Sequence, residues 1–166
     1  MALDPIVRNL RDGQLVVNDA ASHSVTLTLD MGDLEWTEPE ETVQVMDRGV
    51  LAQARPGDEK PCDLTYSTQW VHLIGDSVTS SGDAVQFYEL INERASDYVG
   101  YGQAGEKYML RHTFTVTAPG AAANESEKIL FAKVFKTSLK MGEGDNANRI
   151  SFSGIDFETR PVVSRV

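Results

Sequence analysis

At 166 residues the chain is about one domain's worth, long enough to bury a core without metal or disulfide staples. It is 41% hydrophobic and 24% charged, an ordinary globular balance, and no run approaches the roughly 20 apolar residues of a membrane span. The net charge of −10 opposes tight nucleic-acid binding, which takes clustered Lys and Arg to neutralise phosphates. One cysteine, Cys62, excludes an internal disulfide and a cysteine-based zinc site. The opening Met1-Ala2-Leu3-Asp4-Pro5 lacks the basic-then-apolar layout of a signal peptide, so the expectation is cytoplasmic synthesis without export by that route.

In chain order, residues 14–17 precede the turn-forming Asn18-Asp19 and read as the hairpin partner of residues 24–30. There Val25, Leu27 and Leu29 alternate with Ser24, Thr26 and Thr28, as in a half-buried strand. The next stretch is acidic: Asp30, Asp33, Glu35, Glu38, Glu40, Glu41 and Asp47 occur with no Lys or Arg among them, which ordinarily marks a solvated loop or edge. Residues 48–61 mix both charges around Pro56-Gly57, as an exposed hairpin tip would. Residues 62–70 alternate again, setting Cys62, Leu64, Tyr66 and Trp70 against Asp63, Thr65, Ser67 and Gln69.

A helical spacing follows. Residues 80–83 offer an N-cap, and Val85, Tyr88, Ile91 and Ala95 recur every three or four positions, predicting one helix of about three turns across a sheet. Strands are predicted at 107–117, 128–139 and 149–157, the last two joined by the turn-rich 141–146. Ile129, Leu130, Phe131 and Ala132 are apolar on both sides, so that strand is central or covered on its second face. The fold class is therefore mainly β, a sandwich or partial barrel of antiparallel sheets with one flanking helix and a long inter-strand hairpin. The Thr- and Ser-rich outer faces suit solvent or a wet channel.

Motifs that would carry chemistry are missing. His23, His72 and His112 share no metal-ligand spacing, and there is no G-x-S-x-G elbow. Cys62 lies on the apolar side of its strand and reads as a small hydrophobe. Gly142-Glu143-Gly144-Asp145 is too acidic for a phosphate loop, a calcium loop from Asp145 fails at Ile150, and Asn124-Glu125-Ser126 is a bare glycosylation sequon. No catalytic, cofactor or metal residue is assigned, and an enzyme is not expected.

Five runs of the sequence carry a family resemblance. Gly32-Asp33-Leu34-Glu35-Trp36-Thr37-Glu38-Pro39, Asp47-Arg48-Gly49-Val50-Leu51 and Arg55-Pro56-Gly57-Asp58-Glu59-Lys60-Pro61, together with the closing Gly142-Glu143-Gly144-Asp145-Asn146 and Ile150-Ser151-Phe152-Ser153-Gly154, resemble the major tail tube proteins of tailed bacteriophages. Their details look closer to long non-contractile tails. The resemblance implies two packed sheets with a flanking helix in a single domain over 1–166, and six subunits per ring whose inner sheets join around a channel. It implies rings stacked into a tube in the virion, with no membrane involved. The implied partners are the chain itself, a tape-measure protein, a tail terminator and tail-tip proteins, with DNA passing through an acidic lumen without specific binding. Residues 42–66 would be the protruding hairpin, with Arg48, Arg55, Asp58, Glu59 and Lys60 as inter-ring contacts. Two alternatives stay open: a monomeric module gripping glycans with Trp36 or Trp70, and the inner tube of a contractile tail or related secretion system.

Overall fold

The computed structural model describes residues 13–27, 29, 34–70, 72–73, 85–117, 126–143, 148–158 and 160–165. Strands β1 (Gly13–Asn18) and β2 (Ser24–Leu27) form the first hairpin, followed by β3 (Glu35–Thr37), β4 (Thr42–Asp47), β5 (Val50–Pro56) and β6 (Cys62–Gln69). Helix α1 (Phe87–Ile91) leads to β7 (Met109–Thr117), β8 (Ser126–Gly142), β9 (Arg149–Asp156) and β10 (Val162–Arg165). Eight strands make one antiparallel sheet in the order β2-β1-β7-β8-β9-β6-β3, with β10 also on β8, and β4-β5 stand apart as a second sheet.

The large sheet folds over itself along β8. Phe131 pairs with His112 of β7, and Leu139, eight positions on, pairs with Phe152 of β9. On a flat strand those pairs would lie about 26 Å apart. The His112 and Phe152 rings instead stack at 5.3 Å. Two bulges on β8 make this bend: Ala132 and Lys133 together face Arg111, and Thr137 has no partner on β9. Asp156, fully buried, staples the first bulge by accepting the Lys133 and Glu158 amides at 3.2 and 3.3 Å, while the Phe157 amide donates to the Lys133 carbonyl at 2.9 Å. Burial pushes the Asp156 carboxyl above its usual range.

Folding β8 over brings two layers, β2-β1-β7 and β9-β6-β3, face to face across the core. Leu15, Val17, Phe114 and Phe131 come from one side, and Leu64, Tyr66, Ile150 and Phe152 from the other. A bridge between Leu29 and Thr68 ties the two ends without closing a barrel. Gly154 sits where only hydrogen fits, since a Cβ would lie 2.6 Å from the Phe152 ring and 2.9 Å from the Phe135 carbonyl. Gly154→Ala is therefore expected to destabilise the fold by about 1–3 kcal/mol in urea unfolding, the usual range for overpacking, with no effect if the ring can shift freely.

The helix is shorter than its apolar spacing predicts. It is capped by a reciprocal Gln86–Glu89 box and ends at Asn92, whose side-chain amide donates to the Tyr88 carbonyl at 2.9 Å. Glu93 then turns left-handed (φ 52°), so Ala95 lies past the end. The N-cap expected at 80–83 lies outside the described residues. Phe87, Leu90 and Ile91 are buried, and Phe87 sits 6.0 Å from the Tyr66 ring.

Candidate assembly surface

The β4-β5 ribbon is the part of the chain that its own core does not explain. Every residue in it is exposed, and it pairs only with itself. Its turn is Arg48-Gly49, with φ 49° and 83°, the two left-handed positions of a type I′ hairpin. The tip is thus at Arg48-Gly49 and not at Pro56-Gly57, because two consecutive positive φ values follow Asp47 whereas Pro56 ends the ladder opposite Thr42. Residues 62–66, expected within the protruding hairpin, belong to β6 in the large sheet, paired residue for residue with β9.

Side chains on the ribbon are apolar on both faces. Val43 and Val45 share one face with Gln53 and Arg55, while Met46 and Leu51 pair on the other beyond a bulge. Val50 at the tip is 68% exposed. A two-stranded hairpin is marginal alone in water, and exposed apolar surface of this extent marks a contact site.

The five residues assigned by resemblance fall at the two ends of this ribbon. Arg48 forms the tip. Arg55 lies near the root, where its guanidinium donates to Gln53 Oε1 at 2.7 and 3.1 Å. Lys60 pairs with Glu41 at 3.1 Å, and the Gly57 amide donates to the Glu41 carbonyl at 2.7 Å, so these contacts tie the two stems together. Asp58 and Glu59 are exposed beside them. About 20 Å of ladder separates Arg48 from this group. The apolar residues Val43, Val45, Met46, Val50 and Leu51 were not singled out in the sequence. Val43 and Val45 alternate with Gln44, but the adjacent pairs Val45-Met46 and Val50-Leu51 break the pattern, and the charges around them mask it.

A second exposed surface lies at β10. All four residues of β10 are exposed, Val162 and Val163 among them, and Phe157 stands exposed beside it. Among the described residues β10 pairs with β8 alone, and an apolar edge left so is a template for pairing with another strand. The outward face of β6 and β9 is polar by contrast, with Ser67 and Ser151 hydroxyls 3.1 Å apart and Asp63, Thr65 and Gln69 in the same row.

The tryptophans, the cysteine and two of the histidines are held within the fold. Trp36 packs edge-on to Phe131 at 6.0 Å and donates from its indole to Glu38 at 3.3 Å; with Trp70 also half-buried against the core, neither ring is a free platform for sugars. Cys62 is buried, and burial pushes its thiol up to about 11. His23 lies between Asp19 at 2.9 Å and Asp97 at 3.3 Å, linking the β1-β2 turn to the segment before β7. His112 is wholly buried with Nε2 2.9 Å from the Tyr66 hydroxyl. No cluster of metal-binding side chains occurs among the described residues. No helix among them is long and apolar enough to cross a membrane.

No protein-family model and no curated protein matches the sequence. Solved structures do match. The chain resembles one from the sheath–tube complex of an extracellular contractile injection system, PVC, in its extended state, with a TM-score of 0.59 over 98% of this chain and 94% of that one, at 10% identity. A chain from the tube-terminating cap of the anti-feeding prophage matches with a TM-score of 0.57, 14% identity, and coverage of 100% and 95%. One from the PVC sheath/tube terminator matches at 0.55, 13% identity, and 99% and 98%. At these identities the likeness is one of fold, and the tail-tube-like fold expected from the sequence is present.

Proposed function

We propose that this chain is a structural subunit of a tail tube, assembling with copies of itself into rings that stack around a channel. The observation that carries this reading is the ribbon: a detached two-stranded sheet with apolar residues on both faces, borne on a fold shared with tube-complex and cap proteins. Such a ribbon gains stability only when another surface covers it. The exposed side chains of β10 support lateral association in the same way.

The finer features of the proposal rest on the family resemblance. They are six subunits per ring, a tape-measure protein setting length, terminator and tip proteins at the ends, and a place in a virion or a virion-like particle. The hydroxyl-rich outer face of β6 and β9 suits a water-filled wall. With a net charge of −10, repulsion would centre DNA in the channel and act over about 8 Å at physiological salt. Between the two kinds of machine, the contractile one draws the stronger support, because the structures matched above come from contractile injection systems. The non-contractile tail rests on sequence details alone.

Sedimentation velocity over a concentration series tests the reading. The expected result is a mass that grows with concentration through a discrete ring species to long polymers. A monomer at every concentration, unchanged by added tail-tip seeds, overturns it.

A further inference from the structure

Between the end of α1 and the start of β7 lies a cavity of about 280 Å³ walled by Ile91, Asn92, Glu93, Lys107, Tyr108 and Lys136. Its polar groups are incompletely used. Tyr108 forms part of the wall, while its hydroxyl is buried away from solvent with no hydrogen-bond partner among the described residues. Lys136 reaches the Asn92 side-chain oxygen, and the Lys107 ammonium sits over the Phe135 ring at 5.1 Å. Neither lysine has a carboxylate at ion-pair distance among the described residues. In a chain with ten more acids than bases, two adjacent lysines without an acid are an unspent positive site.

We propose that this cavity is the socket for the ribbon tip of a second copy, an inference that rests on the self-assembly reading above. The tip carries the complementary pattern. Asp47 is an exposed carboxylate flanked by Met46 and, across the turn, Val50, with Leu51 beside them. Its carboxylate answers the two ammonium groups, and the apolar neighbours answer Ile91 and the Tyr108 ring. Arg48, next along the turn, answers Glu93 on the socket wall. Of the other described acids of the same stretch, Glu38 accepts from the Trp36 indole and Glu41 pairs with Lys60, while Glu35 and Glu40 lie outside the ribbon. Asp47 also stands at the end of a ladder about 20 Å long, the one acid of the ribbon placed to reach out of its own molecule.

Carbodiimide coupling of the assembled wild-type protein, which joins a carboxylate to an amine as an amide, tests the placement without any substitution. Mixing isotopically heavy and light copies and mapping the peptides is expected to show Asp47 joined to Lys107 or Lys136 of a different copy. Charge exchange supplies the second arm. Asp47→Lys alone, and Lys107→Glu with Lys136→Glu, should each slow assembly at least tenfold, and combining all three should recover most of the rate. If wild-type protein assembles but Asp47 couples to neither lysine, or assembly ignores both exchanges, the socket is wrong and the self-assembly reading stands. If wild-type protein never assembles, both fall.

Discussion

Excising residues 43–55 and joining Thr42 to Pro56 through Asn-Gly is expected to leave a folded monomer that no longer assembles. Thr42 and Pro56 face each other at the root of the ribbon ladder, so a two-residue type I′ turn bridges them without moving β3 or β6. No residue removed is buried, and exposed positions of this kind usually carry within about 0.5 kcal/mol each way. The melting temperature should therefore shift by no more than a few degrees while growth into rings and tubes is lost. Normal tubes from this variant would show that the ribbon is ornament. A collapse of the melting temperature would show instead that it supports the fold from the side, which its isolation from the large sheet argues against.

The second large effect concerns acid. Burial holds the His112 imidazole neutral down to about pH 3, against 6.5 in an ordinary histidine. Unfolded chains take up that proton as pH falls below 6.5 while the folded chain refuses it, so stability decreases with acidification through this window and is regained above it. By about 1.4 kcal/mol per pH unit, the loss reaches roughly 3 kcal/mol by pH 4 and about 5 kcal/mol at the acid end. Asp156 acts in the opposite direction. Its raised carboxyl keeps a proton in the folded state, so its contribution weakens as pH rises above 3.8.

Comparison with His112→Phe/Tyr66→Phe isolates the histidine. Replacing both partners of a buried hydrogen bond with apolar rings is nearly neutral at pH 7, whereas Tyr66→Phe alone strands the His112 nitrogen at a cost of about 1–3 kcal/mol. Urea unfolding of wild type should lose about 3 kcal/mol more than the double variant between pH 7 and pH 4. Parallel pH profiles for the two proteins would contradict the account of His112.

Much of the fold was legible because alternation reports burial directly. Leu27, Cys62, Leu64 and Tyr66, which alternation sets on one face of their strands, lie in the core, and Val25, Leu29 and Trp70 pack against it. The apolar run at 129–132 belongs to β8, which is paired along both edges, by β7 on one and by β10 and β9 in turn on the other. What the pattern could not convey was the bend. A 17-residue strand with two bulges looks like one long strand, and the residues that fold it, Ala132, Lys133, Thr137 and Asp156, carry no periodic signal. The helix was overread because Ala95 keeps a helical spacing while the Asn92 cap and the left-handed Glu93 end the helix before it. His112 occupies an inward position of β7, yet a polar residue there signals burial only once Tyr66 is seen across the layers.

The assembly surface was legible in part. Charges drew attention to 48–61, but a hairpin turn is set by backbone angles, and Arg48-Gly49 supplies both positive φ values. The lysine-lined cavity had no sequence signal at all, since Lys107 and Lys136 come together through the β7–β8 pairing that sets Met109 opposite Phe135.

Negative-stain electron microscopy of the purified chain over a concentration series, alone and with tail-tip seeds, addresses self-assembly most directly. The account predicts uniform rings and tubes with a stained central channel for the intact chain, and isolated particles for the chain lacking its ribbon. Isolated particles from both proteins at every concentration, with or without seeds, would contradict it.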